Sequence, residues 1–486
     1  MDRVGCDRGV CVAAVALGVR RLVRPLRSDV LLIALVAAVA LSTVCAAPAR
    51  AGWSAPAAIS SAGDIGWMQF AADAGGDEIA VWGRLTGPAN PVSGIRAYAV
   101  EVAFRPAGSA WQLPVIVGAA YVACDRGGCE HFPAVTLGIG LRGEAVVMWS
   151  SAVSGVSVTE AALRTAGGRW QRPIVICWAC ASLQGQVAVD RRGNATAIVL
   201  GSTSTGLAVR VAFKPAGRAW RRPVTIGTGN GYGVQLALDA EGDAIAVWRH
   251  TLGHGRLELV QSAFRPVGGS WRRPVTIGHL GDGTAAQVAV DPRGDAIVVW
   301  AGWTRPNRCC MTAVRAVFKP AGGRWRRPVT LAHNEGTSGV RVAFGRHGKA
   351  TAVWSVNAAG VPAPFIAVQS ASRPAGGSWG GPVTIASPGS RIESLRLALD
   401  PRGDALAVWW VTPAPEIPSD MQAAITSPRG IWQPPISLGG GPSPLTGFDV
   451  AAGAALDSQG NAVAVWLHDL GNDQQVLDAA TFIRAG

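Results

Sequence analysis

A few side chains in this 486-residue chain have the types and spacing to do chemistry. His250-x-x-x-His254 is the closest histidine pair, a spacing that suits two metal ligands when a helix carries it. No H-E-x-x-H surrounds the pair, and a loop would not hold both rings on one side. We read them as loop residues available to a ligand, and expect no metal. Six cysteines follow residue 51, in three local pairs: Cys124 with Cys129, Cys177 with Cys180, and Cys309 with Cys310. The C-x-x-C at 177–180 lacks the second such motif of a zinc site and the βαβ setting of a redox dithiol. Structural disulfides are therefore expected at all three pairs. For adjacent Cys309-Cys310, separate thiols or pairing between chains stay open. Trp67, Trp303 and Trp410 each offer a flat indole face and one N–H donor, the equipment for holding a sugar ring or an apolar partner. Carboxylates such as Asp64, Glu393 and Asp420 form no spaced acid and base pair, and only Tyr98, Tyr121 and Tyr232 could act as phenolic nucleophiles. No catalytic residue is assigned.

These residues hang on a repeated unit. The module reads D-x-x-G, five small or apolar residues and Trp, then a variable loop, an apolar run ending in Arg/Lys-Pro, and G-G-x-W-x-x-P-V-T-I. The first tryptophan series is Trp82, Trp149, Leu200 (standing in for Trp), Trp248, Trp300, Trp354, Trp409 and Trp466. The second is Trp53, Trp111, Trp170, Trp220, Trp271, Trp325, Trp379 and Trp432. A period near 50 residues suits four short strands with their turns. One unit reads as strand a over 286–291, b over 295–300, c over 314–319 and d over 325–331. Asp291-Pro292-Arg293-Gly294 forms the tight a–b turn, with Asp and Pro at its opening positions and Gly closing it. Strands a and b are apolar on both faces, as expected of sheets sandwiched between neighbours. Arg and Pro gather in strand d, an edge they would protect from foreign strands.

The ends hold complementary fragments. Residues 52–60 form a d strand with nothing before it; 451–457, 461–467 and 476–482 supply a, b and c with no d after them. Joining them closes a ring without an open edge, so we expect an all-β, single eight-bladed β-propeller over 52–486. Seven blades is the alternative, because the third copy carries Leu200. The constant a–b and c–d turns fall on one rim. The variable b–c and d–a loops fall on the other, where function usually sits. All three cysteine pairs and all histidines but His347 lie on that variable side.

This organisation resembles the secreted β-propeller repeat proteins of bacteria, and the resemblance spans residues 52–486. The fragment A-F-R-P-V-G-G-S-W, Ala263 to Trp271, looks like a shortened tryptophan-docking motif of quinoprotein-type propellers. It implies that this Trp wedges between adjacent blades. D-x-x-G-x-A-x-A-V-W is similar to the Asp-box of sialidase-type propellers, although Gly and Trp stand further from the Asp. Some quinone-dependent alcohol dehydrogenases of similar build hold a vicinal disulfide against their cofactor. The cation-binding set for a quinone is missing here, so no cofactor is expected. Architecture carries over and activity does not, since propellers host unrelated functions.

Residues 1–51 read as an export signal: Arg20, Arg21, Arg24 and Arg27 precede an apolar run from Val30 to Val44, and Ala49-Arg50-Ala51 suits cleavage. The run is too short to span a bilayer, so no membrane span is expected after cleavage. The 44 Lys and Arg against 31 Asp and Glu give a net charge of +13. Much of it recurs as W-R-R-P, and no Lys/Arg block of nucleic-acid type occurs. Nucleic acid is therefore not an expected partner. The sequence points to an exported or cell-envelope binding protein whose variable rim takes a glycan, an anionic envelope polymer or a protein. A sialidase-like glycosidase or polysaccharide lyase, and a structural assembly scaffold, are the alternatives.

Overall fold

The structure, a computed structural model, describes residues 52–486 except 74, 89, 91–93, 124–132, 167, 181–184, 205, 230–232, 253–256, 281–284, 304–311, 335, 346, 358–366, 388, 413–418, 428, 442–451, 473, 485 and 486. Strands and turns build eight antiparallel sheets, which we number as blades in chain order: 65–123, 135–178, 186–229, 235–279, 287–334, 337–386, 391–441, and 452–483 joined by 52–58. In blade 5 the strands are Gln287–Val290 (a), Ala296–Trp303 (b), Thr312–Lys319 (c) and Val329–Asn334 (d), in that spatial order. Each a strand touches the a strand of the next blade, and that of blade 8 touches that of blade 1. The ring is an eight-bladed β-propeller with a innermost and d outermost.

The ends close it as their complementarity requires. Gly52–Trp53 and Ala57–Ala58 both pair with Gln474–Ile483, the c strand of blade 8, with Trp53 opposite Phe482. Gln475 extends the seam into blade 1, its Oε1 accepting the Ile65 N–H at 3.0 Å. One expectation needs correcting: ladder pairing in strand d of blade 5 starts at Val329, not at Trp325. Pro328 has no N–H to donate, and the Trp ring is turned between blades.

The repeated Asp organises the constant rim. Asp291 Oδ1 accepts the N–H groups of Arg293 and Asp295, each at 2.9 Å. Asp295 Oδ1 in turn accepts the Ala321 N–H of the c–d turn at 2.8 Å. The relay recurs from Asp77 to Ala107, Asn194 to Ala216, Asp243 to Val267 and Asn461 to Arg484. Both turns of a blade are thereby tied into one rim.

Eight apolar clusters fill the interfaces, one between each pair of neighbouring blades. Every cluster takes the W-x-x-P tryptophan of its later blade: Trp170 between blades 1 and 2, Trp220 between 2 and 3, and so round to Trp53 between 7 and 8. The wedge implied for Trp271 is present, between blades 3 and 4. The repeated b-strand tryptophans, Trp82, Trp149, Trp248, Trp300, Trp354, Trp409 and Trp466, are 0–1 % exposed. Burying one indole removes roughly 150–250 Å² from water, up to about 4–6 kcal/mol at 25 cal/mol per Å².

Room for each b-strand Trp comes from the d strand of the preceding blade. A Cβ on Gly278 would lie 2.4 Å from Trp300 Cζ2, and on Gly227 2.6 Å from Trp248 Cζ2. The corresponding residues elsewhere are Gly118, Ala332, Ala386, Gly439 and Ser60, all small. Blade 2 has Cys177 there, and facing it blade 3 has Val199. A larger side chain on one blade is matched by a smaller one on the next. Val199 keeps the Trp's place in the ladder, paired with Arg210 as Trp300 is with Arg315. Leu200, the expected stand-in for the Trp, stands one residue further along and faces blade 4 instead. The third copy is a compensated blade of the ring, which is why its lost Trp does not reduce the count to seven.

Candidate functional site around the axial opening

The innermost strands place a ring of side chains about the axis. Four residues before the a–b turn stand Gln69, Thr136, Gln186, Gln235, Gln287, Arg341, Arg396 and Gly453, in blade order. Seven are polar and half-buried. Two residues nearer the turn, the same strand face carries Ala71, Gly138, Ala188, Ala237, Ala289, Ala343, Ala398 and Ala455. The alternate positions, such as Val187, Leu236, Val340 and Leu395, enter the interface clusters. Small residues let the strands crowd together: a Cβ on Gly138 would meet Val187 O at 2.7 Å. The polar ring is knitted between blades, with Gln186 Nε2 donating to Gln235 Oε1 at 2.9 Å and Gln186 Oε1 accepting the Leu236 N–H at 2.7 Å. Arg341 and Arg396, on neighbouring blades, donate through Nη1 to the Val340 and Leu395 carbonyls at 2.9 and 3.1 Å.

Three blades break the regular pairing at the variable end of strand a. In Ile65–Ala72, Thr337–Phe344 and Arg391–Leu399 the register slips opposite the b-strand Trp, one extra residue being inserted each time. The extra residues are Trp67, Gly339 and Ser394, all left-handed, with φ of 45°, 60° and 51°. For the two that carry side chains this costs about 1–3 kcal/mol each. Such bulges re-aim side chains beside functional sites. Blades 6, 7 and 1 thus combine bulged strands with Arg341, Arg396 and Gln69.

Trp67 packs partly against the interface of blades 1 and 2 and stays half-buried. Trp303 is half-buried at the outer end of strand b in blade 5, opposite Thr312. Trp410 is 0 % exposed and lies in the interface of blades 7 and 8, while its neighbour Trp409 lies in that of 6 and 7. Its indole is spent on packing. His250 lies within strand b of blade 4, Ala244–Leu252, its Nδ1 3.2 Å from the Thr228 carbonyl oxygen. His254, Cys124, Cys129, Cys309 and Cys310 lie outside the described residues. Cys177 and Cys180 form a disulfide buried between blades 2 and 3.

The rim carboxylates that are described have partners of their own. Glu393 pairs with Arg391 at 2.6 Å, Asp420 accepts from Ser437 Oγ at 2.6 Å, and Asp469 accepts the Gly471 N–H at 2.9 Å. His468 Nδ1 lies 2.7 Å from Asp478 on blade 8. On the constant rim, burial pushes the Glu78 carboxyl up from its ordinary value, against the opposing hydrogen bond and charge of Arg105 at 2.6 Å. Burial likewise raises Asp73, Asp239 and Asp291. No group of three His, Cys, Asp or Glu side chains able to hold a metal ion occurs among the described residues. The arrangement can therefore bind through indole faces, amide side chains and two guanidinium groups. Aligning the copies at the fourth residue before the turn would have exposed the Gln/Arg ring in the sequence, a signal the strongly patterned neighbours obscured.

No family model and no curated protein matches the chain. Among solved structures it is similar to a hydrazine synthase from Kuenenia stuttgartiensis (12 % identity, TM-score 0.43, covering 70 % of this chain and 94 % of the other). It is similar also to a PL25 ulvan lyase (10 %, 0.45, 86 % and 94 %). A third likeness is the β-propeller domain of the Trilobed protease from Pyrococcus furiosus (10 %, 0.40, 80 % and 96 %). These likenesses extend no further than the fold.

Proposed function

We propose that this is an exported propeller that binds its ligand at the axial opening on the variable rim, without catalysing a reaction. The observation that carries the reading is the trio of left-handed bulges on blades 6, 7 and 1, set beside Arg341, Arg396 and Gln69. Backbone held in a costly conformation at one sector of an otherwise uniform ring is a hallmark of a ligand site. Trp67 offers an indole there and the two arginines offer donors for carboxylate or hydroxyl groups, a combination suited to glycans. Trp303 and His250 extend this binding rim on blades 5 and 4. The buried Cys177–Cys180 disulfide supports an oxidising compartment, consistent with residues 1–51 acting as an export signal. No helix among the described residues is long and apolar enough to cross a membrane.

The test is a binding screen of the purified chain, without residues 1–51, against neutral and acidic glycans and cell-envelope polymers. Trp67→Ala should weaken the best ligand at least tenfold, and Arg341→Gln with Arg396→Gln should weaken acidic ligands selectively. Turnover of a bound polymer, abolished by carboxylate substitutions on the same rim, would instead establish a glycosidase or lyase.

A further inference from the structure

The outer wall carries a second feature that the axial opening does not use. From the c–d turn to the end of strand d, blades 2–5 contain Arg169, Arg172, Arg218, Arg221, Arg222, Arg272, Arg273, Arg324, Arg326 and Arg327 and no acid. The same stretches of blades 6, 7, 8 and 1 contain only Arg429 and Arg484, and Arg484 is paired with Asp404 at 2.7 Å. Residues 52–486 hold 37 Lys and Arg against 28 Asp and Glu, so the ten arginines of this arc account for the whole positive excess.

The arginines divide by role. Arg221, Arg272 and Arg326 lie over Phe213, Phe264 and Phe318 of their own blades at 5.4, 5.1 and 5.3 Å. The same rings also take Arg265, Lys319 and Arg373 from the next blade at 4.4, 4.6 and 4.2 Å. These cations are part of the blade seam. Arg172, Arg222, Arg273 and Arg327 are exposed, one just before the outer strand of each of four consecutive blades. Protection of a bare sheet edge does not explain them, because blades 6 and 1 expose the same edge with Gly380-Gly381 and Gln112-Leu113 in that position.

We infer that this arc is a docking surface for an extended carboxylated polysaccharide. Guanidinium forks repeating once per blade match a polymer whose carboxylates also repeat, each able to take two parallel hydrogen bonds. The tryptophans alternating with them are wedged into the interfaces, and among the described residues the arc opens one indole, Trp178 of blade 2, in place of the row of aromatic platforms that single-stranded nucleic acid uses.

Polygalacturonate is the probe, titrated against the chain without residues 1–51 at several salt concentrations. Arg222→Gln/Arg273→Gln/Arg327→Gln should weaken binding at least tenfold and flatten its salt dependence. The charge-matched control Arg142→Gln/Arg293→Gln/Arg429→Gln should change it less than twofold, with both triples melting like the parent. Equal losses in the two triples, an unaffected arc variant, or tighter binding of an oligothymidylate of equal charge would each overturn the inference. Trp67→Ala should leave this binding intact, which separates it from the axial site.

Discussion

Cys177 and Val199 share a space that other interfaces give to a small residue and a tryptophan. Val199→Trp alone should therefore overpack the interface of blades 2 and 3 and cost about 1–3 kcal/mol, read from denaturant midpoints. Adding Cys177→Gly and Cys180→Ser should recover part of that loss, and failure of the combination to improve on the single variant would refute the pairing. Gly278→Val, which drives a side chain into Trp300, should destabilise by a similar or larger amount. Burial raises the Asp291 carboxyl, and a group raised on folding stabilises below its unfolded value and loses that contribution as pH climbs through the folded one. The stability of Asp291→Asn relative to the parent should consequently rise between pH 3 and pH 7 in parallel unfolding curves. A flat difference would show that the charged form is not disfavoured. The Cys177 and Val199 exchange was not legible in the sequence, where Leu200, one residue out of register in an apolar run, passed for the missing Trp. The exchange runs across an interface, whereas reading along the chain pairs residues within a blade.

Among the elements, the a–b turn governs the constant rim, and its second acid does the joining. Asp295→Ala should cost about 1 kcal/mol by removing the acceptor for the Ala321 N–H, whereas Asp295→Asn, matching Asn194 and Asn461, should cost less. Equal losses in calorimetric melts would count against the relay. Strand alternation was legible wherever Gly, Pro and Trp recur at fixed offsets, as in Asp291–Gly294 and in the second tryptophan series. The bulges at Trp67, Gly339 and Ser394 were not, because an inserted residue shifts the pairing without altering the apolar pattern around it. Trp410 misled for a related reason. Consecutive strand residues face opposite sides, and both sides of an inner strand are covered, so Trp409 and Trp410 are each buried in a different interface.

For the whole molecule, closure rests on a few contacts between residues more than 400 positions apart, among them Ile65 to Gln475 and Leu477 to Ser60. Removing residues 52–60 should lower the melting temperature and broaden the transition, and a synthetic peptide of that sequence should restore both in a concentration-dependent way. A truncated chain melting like the parent would mean that the ring does not need its borrowed strand. The closing segment is also the first part of the propeller to be synthesised, and its partner Gln474–Ile483 nearly the last. Blades 1–7 can form successively as the polypeptide emerges, each from neighbouring sequence, whereas the final seam must wait for the carboxyl end. A chain halted late in synthesis or transport would carry seven finished blades and two unmatched edges, so quality control can sense completeness by whether those edges have met.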